Sequence, residues 1–144
     1  MGQLITTNKI VYKKGSKYNL DVDFMLDLKY VVPGGDKGIN EDFVYLSPRG
    51  SLIVYKGWDW DGGSGPAIDT KNIMRASLVH DALYWLMRQG RLDQSFRKAA
   101  DMEFRRLCLE DGMSSARAWW LYYGLRFGAA WAAGKDFDKV FTAP

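Results

Sequence analysis

At Pro66 the chain changes period, and this change restricts the fold more than any single motif does. Before it, Leu20 to Val32 alternates apolar and polar residues for most of its length, the pattern of a half-buried strand. Pro33-Gly34-Gly35-Asp36 breaks that run. Asp42 to Leu46 and Ser51 to Lys56 are β-branched and aromatic runs joined across Ser47-Pro48-Arg49-Gly50, a hairpin spacing. After Pro66 the period is helical. Asp69 or Thr70 caps a helix to about Met87, with Ile73, Ala76, Leu83 and Met87 on one stripe and Gly90 as its stop. Asp93 caps a second helix to about Leu109, carrying Phe96, Ala100, Phe104 and Leu107, and Gly112 closes it. Ser114 or Ser115 opens a third that runs to about Ala133. Strands followed by uninterrupted helical periodicity exclude a parallel βαβ sheet, which interleaves them. The expected class is α+β: a small antiparallel sheet from the N-terminal half packed on three helices from the C-terminal half.

The 144 residues suit one core, so a single domain over 1–144 is expected. It divides into a β-rich part at about 18–56, a glycine loop at 57–68 and a three-helix part at 69–134. One cysteine, Cys108, rules out an intrachain disulfide and multi-cysteine metal sites. One histidine, His80, rules out sites built from several histidines. A net charge of +3 is far from the dense basic face of a nucleic-acid binder. Lys9, Lys13, Lys14 and Lys17 read as a solvated basic arm. No signal peptide is legible at the start, and Arg117 and Arg126 interrupt the most apolar window, Ala116 to Ala133, too often for a spanning helix.

The chemistry-bearing residues gather around His80. Four-residue spacing puts His80 and Tyr84 on one helix face, while Asp81 points about 100° away. Asp101 lies beside the small and apolar Ala99, Ala100 and Phe104 of the next helix, where a carboxylate needs a partner. The turn at Gln89 to Leu92 folds it back toward His80 and Tyr84. A neutral imidazole takes a proton from water when its other nitrogen donates to a carboxylate, and Asp101 fits that orienting role. Asp61 and Asp81, with carbonyls of the glycine loop, form an oxygen-only set suited to calcium, which would polarise a carbonyl. The same His80–Asp101 pair also serves as a satisfied contact that only locks two helices. Ser64 as a nucleophile is a third, weaker reading, because Gly62-Gly63-Ser64-Gly65-Pro66 lacks the second glycine of a nucleophile elbow.

Trp58-x-Trp60-Asp61-Gly62-Gly63-Ser64-x-Pro66, His80-Asp81-x-Leu83-Tyr84, Ala100-Asp101-x-x-Phe104 and Arg126-Phe127-Gly128 stand in this order along the chain. Together they resemble a phage and prophage family of unknown function, with Trp60 where that family usually has Thr and Gly63 where it has Ala. The His80-Asp81-x-x-Tyr84 and Asp101-x-x-Phe104 core is also similar to the helix pair of phospholipase A2 enzymes, without their flanking cysteines. That resemblance implies His80 as the base, Asp81 as a calcium ligand, Asp101 as the histidine's partner and Tyr84 as a supporting donor. It puts Gly62, Gly63, Ser64 and Gly65 where the calcium loop belongs. The implied activity is calcium-assisted ester hydrolysis, with phospholipid the first substrate class. The alternative is a non-enzymatic phage structural or host-interaction protein that keeps the helix pair as its core. Either would act in the host cytoplasm or the phage particle.

Trp119, Trp120, Tyr122, Tyr123, Phe127 and Trp131 give the third helix aromatics on most faces. Burial beneath the sheet is the ordinary expectation for them. Membrane lipid or a protein partner is the alternative cover.

Overall fold

The computed structural model describes residues 6–7, 10–14, 18–60 and 71–132. Eight strands precede three helices: β1 (Thr6–Thr7), β2 (Tyr12–Lys14), β3 (Tyr18–Leu20), β4 (Asp23–Asp27), β5 (Ile39–Glu41), β6 (Val44–Leu46), β7 (Ser51–Val54), β8 (Asp59–Trp60), α1 (Lys71–Arg88), α2 (Arg97–Glu110) and α3 (Ser115–Ala132). The α+β class is as expected.

The strands form two sheets. The larger has the order β1-β4-β7-β6-β5 and the smaller β2-β3-β8. Alternation sets the larger sheet's inner face: Phe24 opposes Val54, Leu26 opposes Leu52, and Val44 and Leu46 pair with the same two β7 residues. All six are buried. The hairpin of β6 and β7 turns across Ser47 to Gly50, as its spacing requires.

Several features differ from the sequence expectation: there are two sheets rather than one, the run from Leu20 to Val32 is strand only at Leu20, the end of β3, and at Asp23–Asp27, and Asp42 and Phe43 turn between β5 and β6. β1 runs parallel to β4, so the larger sheet is not wholly antiparallel. A parallel partner needs a long connection, and the β2–β3 hairpin lies between the two strands. Residues 12–14 belong to β2 rather than to a solvated arm, because the backbone there pairs with β3; Lys9 and Lys17 lie outside the described residues. Asp59 and Trp60 leave the expected loop to pair with β3 as β8.

Tyr12, Tyr18 and Trp60 pack in the smaller sheet with ring centroids 5.3–5.8 Å apart. The indole of Trp60 donates to Ser77 Oγ at 3.1 Å, and Ser77 donates to the Met74 carbonyl, which pins this sheet to α1.

Local chemistry sets the helix ends. Gly90 and Gly112 adopt φ +73° and +96°, which a Cβ disfavours, and end α1 and α2. Asp93 accepts from Ser95 N at 3.0 Å and opens a single 3-10 turn, Gln94–Phe96, before α2. Ser114 Oγ accepts from Arg117 N at 3.2 Å and caps α3.

The buried carboxylate of Glu103 ties α2 to the segment after β4. It accepts from the backbone amides of Tyr30 and Val31, and Arg106 donates to it at 2.7 Å. An amide at this position keeps one acceptor oxygen but loses the charge assistance. Glu103→Gln is therefore expected to cost about 2 kcal/mol, read from urea unfolding.

Four of the α3 aromatics do not lie under the sheet, and the side chain of Trp131 lies outside the described residues. The helix packs on α2 through Ala118 and Leu121, and leaves Trp119, Trp120, Tyr123 and Phe127 exposed.

Candidate active site

α1 and α2 pack against each other across the turn after Arg88, and their packing brings His80, Tyr84 and Asp101 together. His80 Nε2 lies 2.6 Å from Asp101 Oδ1, and the Tyr84 hydroxyl donates to the same oxygen at 2.8 Å. Arg126 of α3 donates through Nη1 to the other oxygen, Oδ2, at 2.7 Å. Asp101 is fully buried, so all three helices meet on one carboxylate that water does not reach.

Burial alone would push the Asp101 carboxyl up. The hydrogen bond and charge of His80, followed by the hydrogen bonds of Tyr84 and Arg126, outweigh it and hold the group below the usual carboxylate range. Asp101 is therefore an anion. Burial first, then the charge and hydrogen bond of Asp101, pushes the Tyr84 phenol well above its ordinary value. Tyr84 is thus a fixed donor rather than a base.

An ionised Asp101 accepts from Nε2–H of His80, which places the ring's lone pair on Nδ1. Among the described residues no hydrogen bond reaches Nδ1, and 11% of the His80 side chain stays exposed. The ring is held on two sides. Tyr84 stacks on it with centroids 4.1 Å apart, and Phe104 meets it edge-on at 5.6 Å. One ring nitrogen is thus held by a buried anion, while the other makes no hydrogen bond among the described residues, which is the arrangement an oriented general base requires.

The other sequence candidates are placed less completely. Asp81 follows His80 on α1 and is half-buried. Asp61, Gly62, Gly63, Ser64 and Gly65 lie outside the described residues. Among the described residues, no three acidic, histidine or cysteine side chains gather as a metal site. Cys108 is buried in the core, and burial, then the charge of Asp111, pushes its thiol up to about 12. It is not a nucleophile at neutral pH.

Arg126 is the site residue that sequence reasoning did not assign. Its signal was a charge inside an apolar helical window, immediately before Phe127 and Gly128. Arg97, one turn before Asp101 on α2, acts on Tyr84 with a charge opposite to that of Asp101.

Among the described residues no helix is long and apolar enough to cross a membrane. No curated protein and no solved structure matches the chain. A family model described as "Protein of unknown function (DUF1353)" matches residues 38–125, which takes in β5 to β8, α1, α2 and the first half of α3. That span is more than half of the 144 residues, and the chain belongs to this family.

Proposed function

We propose that the His80 site is hydrolytic, and that the protein is a phage-encoded esterase acting in the host cytoplasm or the particle. The observation that carries this reading is the buried, ionised Asp101 on Nε2 of His80, with no described residue hydrogen-bonded to Nδ1. In the proposed reaction Nδ1 takes a proton from water as the oxygen attacks an ester carbonyl, and Asp101 stabilises the imidazolium that forms. The imidazolium then returns the proton to the leaving alkoxide. Tyr84 and Arg126 keep Asp101 charged and in place throughout. Phospholipid is the first ester class to try, on the strength of the phospholipase A2 resemblance.

Calcium is the proposed cofactor, and it would polarise the ester carbonyl. A hard cation takes six to eight oxygens. Asp81 is the one proposed carboxylate ligand among the described residues, so Asp61 and the carbonyls of Gly62 to Gly65 would have to complete the set. Calcium at about a hundredfold its dissociation constant is expected to stabilise the fold by about 2.7 kcal/mol. The measurement is the melting temperature with calcium and with chelator, and Asp81→Asn should remove the increment. An unchanged melting temperature across millimolar calcium would dismiss the cation.

The test of the reaction is hydrolysis of mixed phospholipid vesicles, with and without chelator, beside His80→Gln. A fall of at least about a hundredfold in His80→Gln is expected. Hydrolysis that survives in His80→Gln would overturn the site.

A specific observation supports the non-enzymatic alternative: Asp101 already has three donors from two other helices, which is what a structural lock requires. Loss of folding in His80→Gln, with no ester hydrolysed by the parent protein, would favour it.

A further inference from the structure

The exposed face of α3 has a definite chemistry. Trp119, Trp120, Tyr123 and Phe127 are 43%, 59%, 45% and 79% exposed, and helical geometry places them within an arc of about 100°. Ala118 and Leu121 are buried on the opposite side. Such a stripe is far more apolar than an ordinary helix surface.

Among the described residues the unpaired charge around it is basic. α3 carries no acidic residue from Ser115 to Ala132. On α2, Lys98, Arg105 and Leu109 share one exposed face with the half-buried Met102. The guanidinium of Arg105 lies 5.2 Å from the Trp119 ring centroid and 5.9 Å from that of Tyr122, so this face adjoins the aromatic stripe. The acids at the end of α2 are already neutralised: Glu110 pairs with Arg75 and Arg106, and Asp111 with Arg75.

We propose that this α2–α3 face docks on an anionic lipid surface. Tryptophan and tyrosine carry an apolar ring and a polar handle, which suits the boundary between headgroups and acyl chains. Phe127, the most exposed of the four, would enter deepest. Arg105 and Lys98 meet the lipid phosphates, and helix α3 lies along the surface rather than through it. Docking goes beyond the hydrolysis reading and does not depend on it.

The experiment is co-sedimentation of the full chain with vesicles of phosphatidylcholine alone and of phosphatidylcholine with phosphatidylglycerol. The unsubstituted chain is the parent, with chelator present throughout so that calcium-assisted hydrolysis does not alter the vesicles. Partitioning onto the anionic vesicles is expected to exceed that onto the neutral ones by about tenfold and to weaken with salt. The double substitution Trp120→Ser and Phe127→Ser should reduce it by about tenfold or more, with an unchanged melting temperature because both side chains are exposed. Arg105→Gln should reduce binding to the anionic vesicles alone. Equal capture of parent and double variant, equal capture by the two vesicle types, or no capture at all would overturn the proposal. So would a dimer in size-exclusion chromatography that the double substitution dissolves, which would assign the face to a second copy of the chain.

Discussion

Asp101→Ala is expected to lower the stability of the fold by about 3–5 kcal/mol, the cost of deleting one member of a buried charged network. Alanine at that position would leave the Arg126 guanidinium, the Tyr84 hydroxyl and the His80 Nε2–H facing each other without an acceptor. The loss should be read by urea or thermal unfolding. A loss below about 1 kcal/mol, as at an ordinary surface position, would mean that water reaches and satisfies the three donors. Acid should act in the same direction. The Asp101 carboxyl is held below its ordinary value of 3.8 in the folded chain, so the unfolded state takes up its proton first as pH falls. Its contribution is therefore whole above that ordinary value and disappears as pH drops through the lower native one. The Asp101→Ala variant should lack this acid-labile component.

Asp101→Asn separates orientation from packing. An amide matches the carboxylate in shape but can donate toward Nε2, which favours the ring tautomer with its proton on Nδ1. That proton removes the base. In the vesicle hydrolysis assay the rate should fall by about 10⁴, far more than the stability loss explains, since the folded fraction stays near one. A rate within tenfold of the parent would show that Nδ1 of His80 is not the proton acceptor. Tyr84→Phe is the gentler companion, because it removes one of three hydrogen bonds and leaves the stacked ring in place.

The parts of this fold legible in the sequence are those that local chemistry decides. The alternation around Phe24 and Leu26, the cap at Ser114, and the stops at Gly90 and Gly112 all act within a few residues, whereas Asp93, expected to cap the second helix, caps the 3-10 turn before it. The His80–Asp101 contact was legible because a carboxylate beside alanines needs a partner and the intervening turn is short. Glu103 was not. Its donors, the amides of Tyr30 and Val31, lie 73 and 72 residues away, and no local pattern marks a backbone amide as unpaired. β1 and β2 escaped for a similar reason: two or three residues carry no usable period, and their pairing depends on β4 and β3. Arg126 was visible as an interruption of an apolar helix, but its partner is set by how α3 crosses α2. The solvent-facing aromatics of α3 reverse the ordinary expectation, because that helix packs on α2 and its opposite side is left without cover.

The arrival of Arg126 on Asp101 also ties the last helix to the first two in their opening fluctuations. Detaching α3 alone would strand one oxygen of a carboxylate whose other oxygen is still bound between α1 and α2. Partial opening therefore carries a penalty that the apolar contacts of Ala118 and Leu121 alone would not impose, and the three helices should exchange their amide hydrogens as one cooperative unit rather than fraying from the C-terminal end.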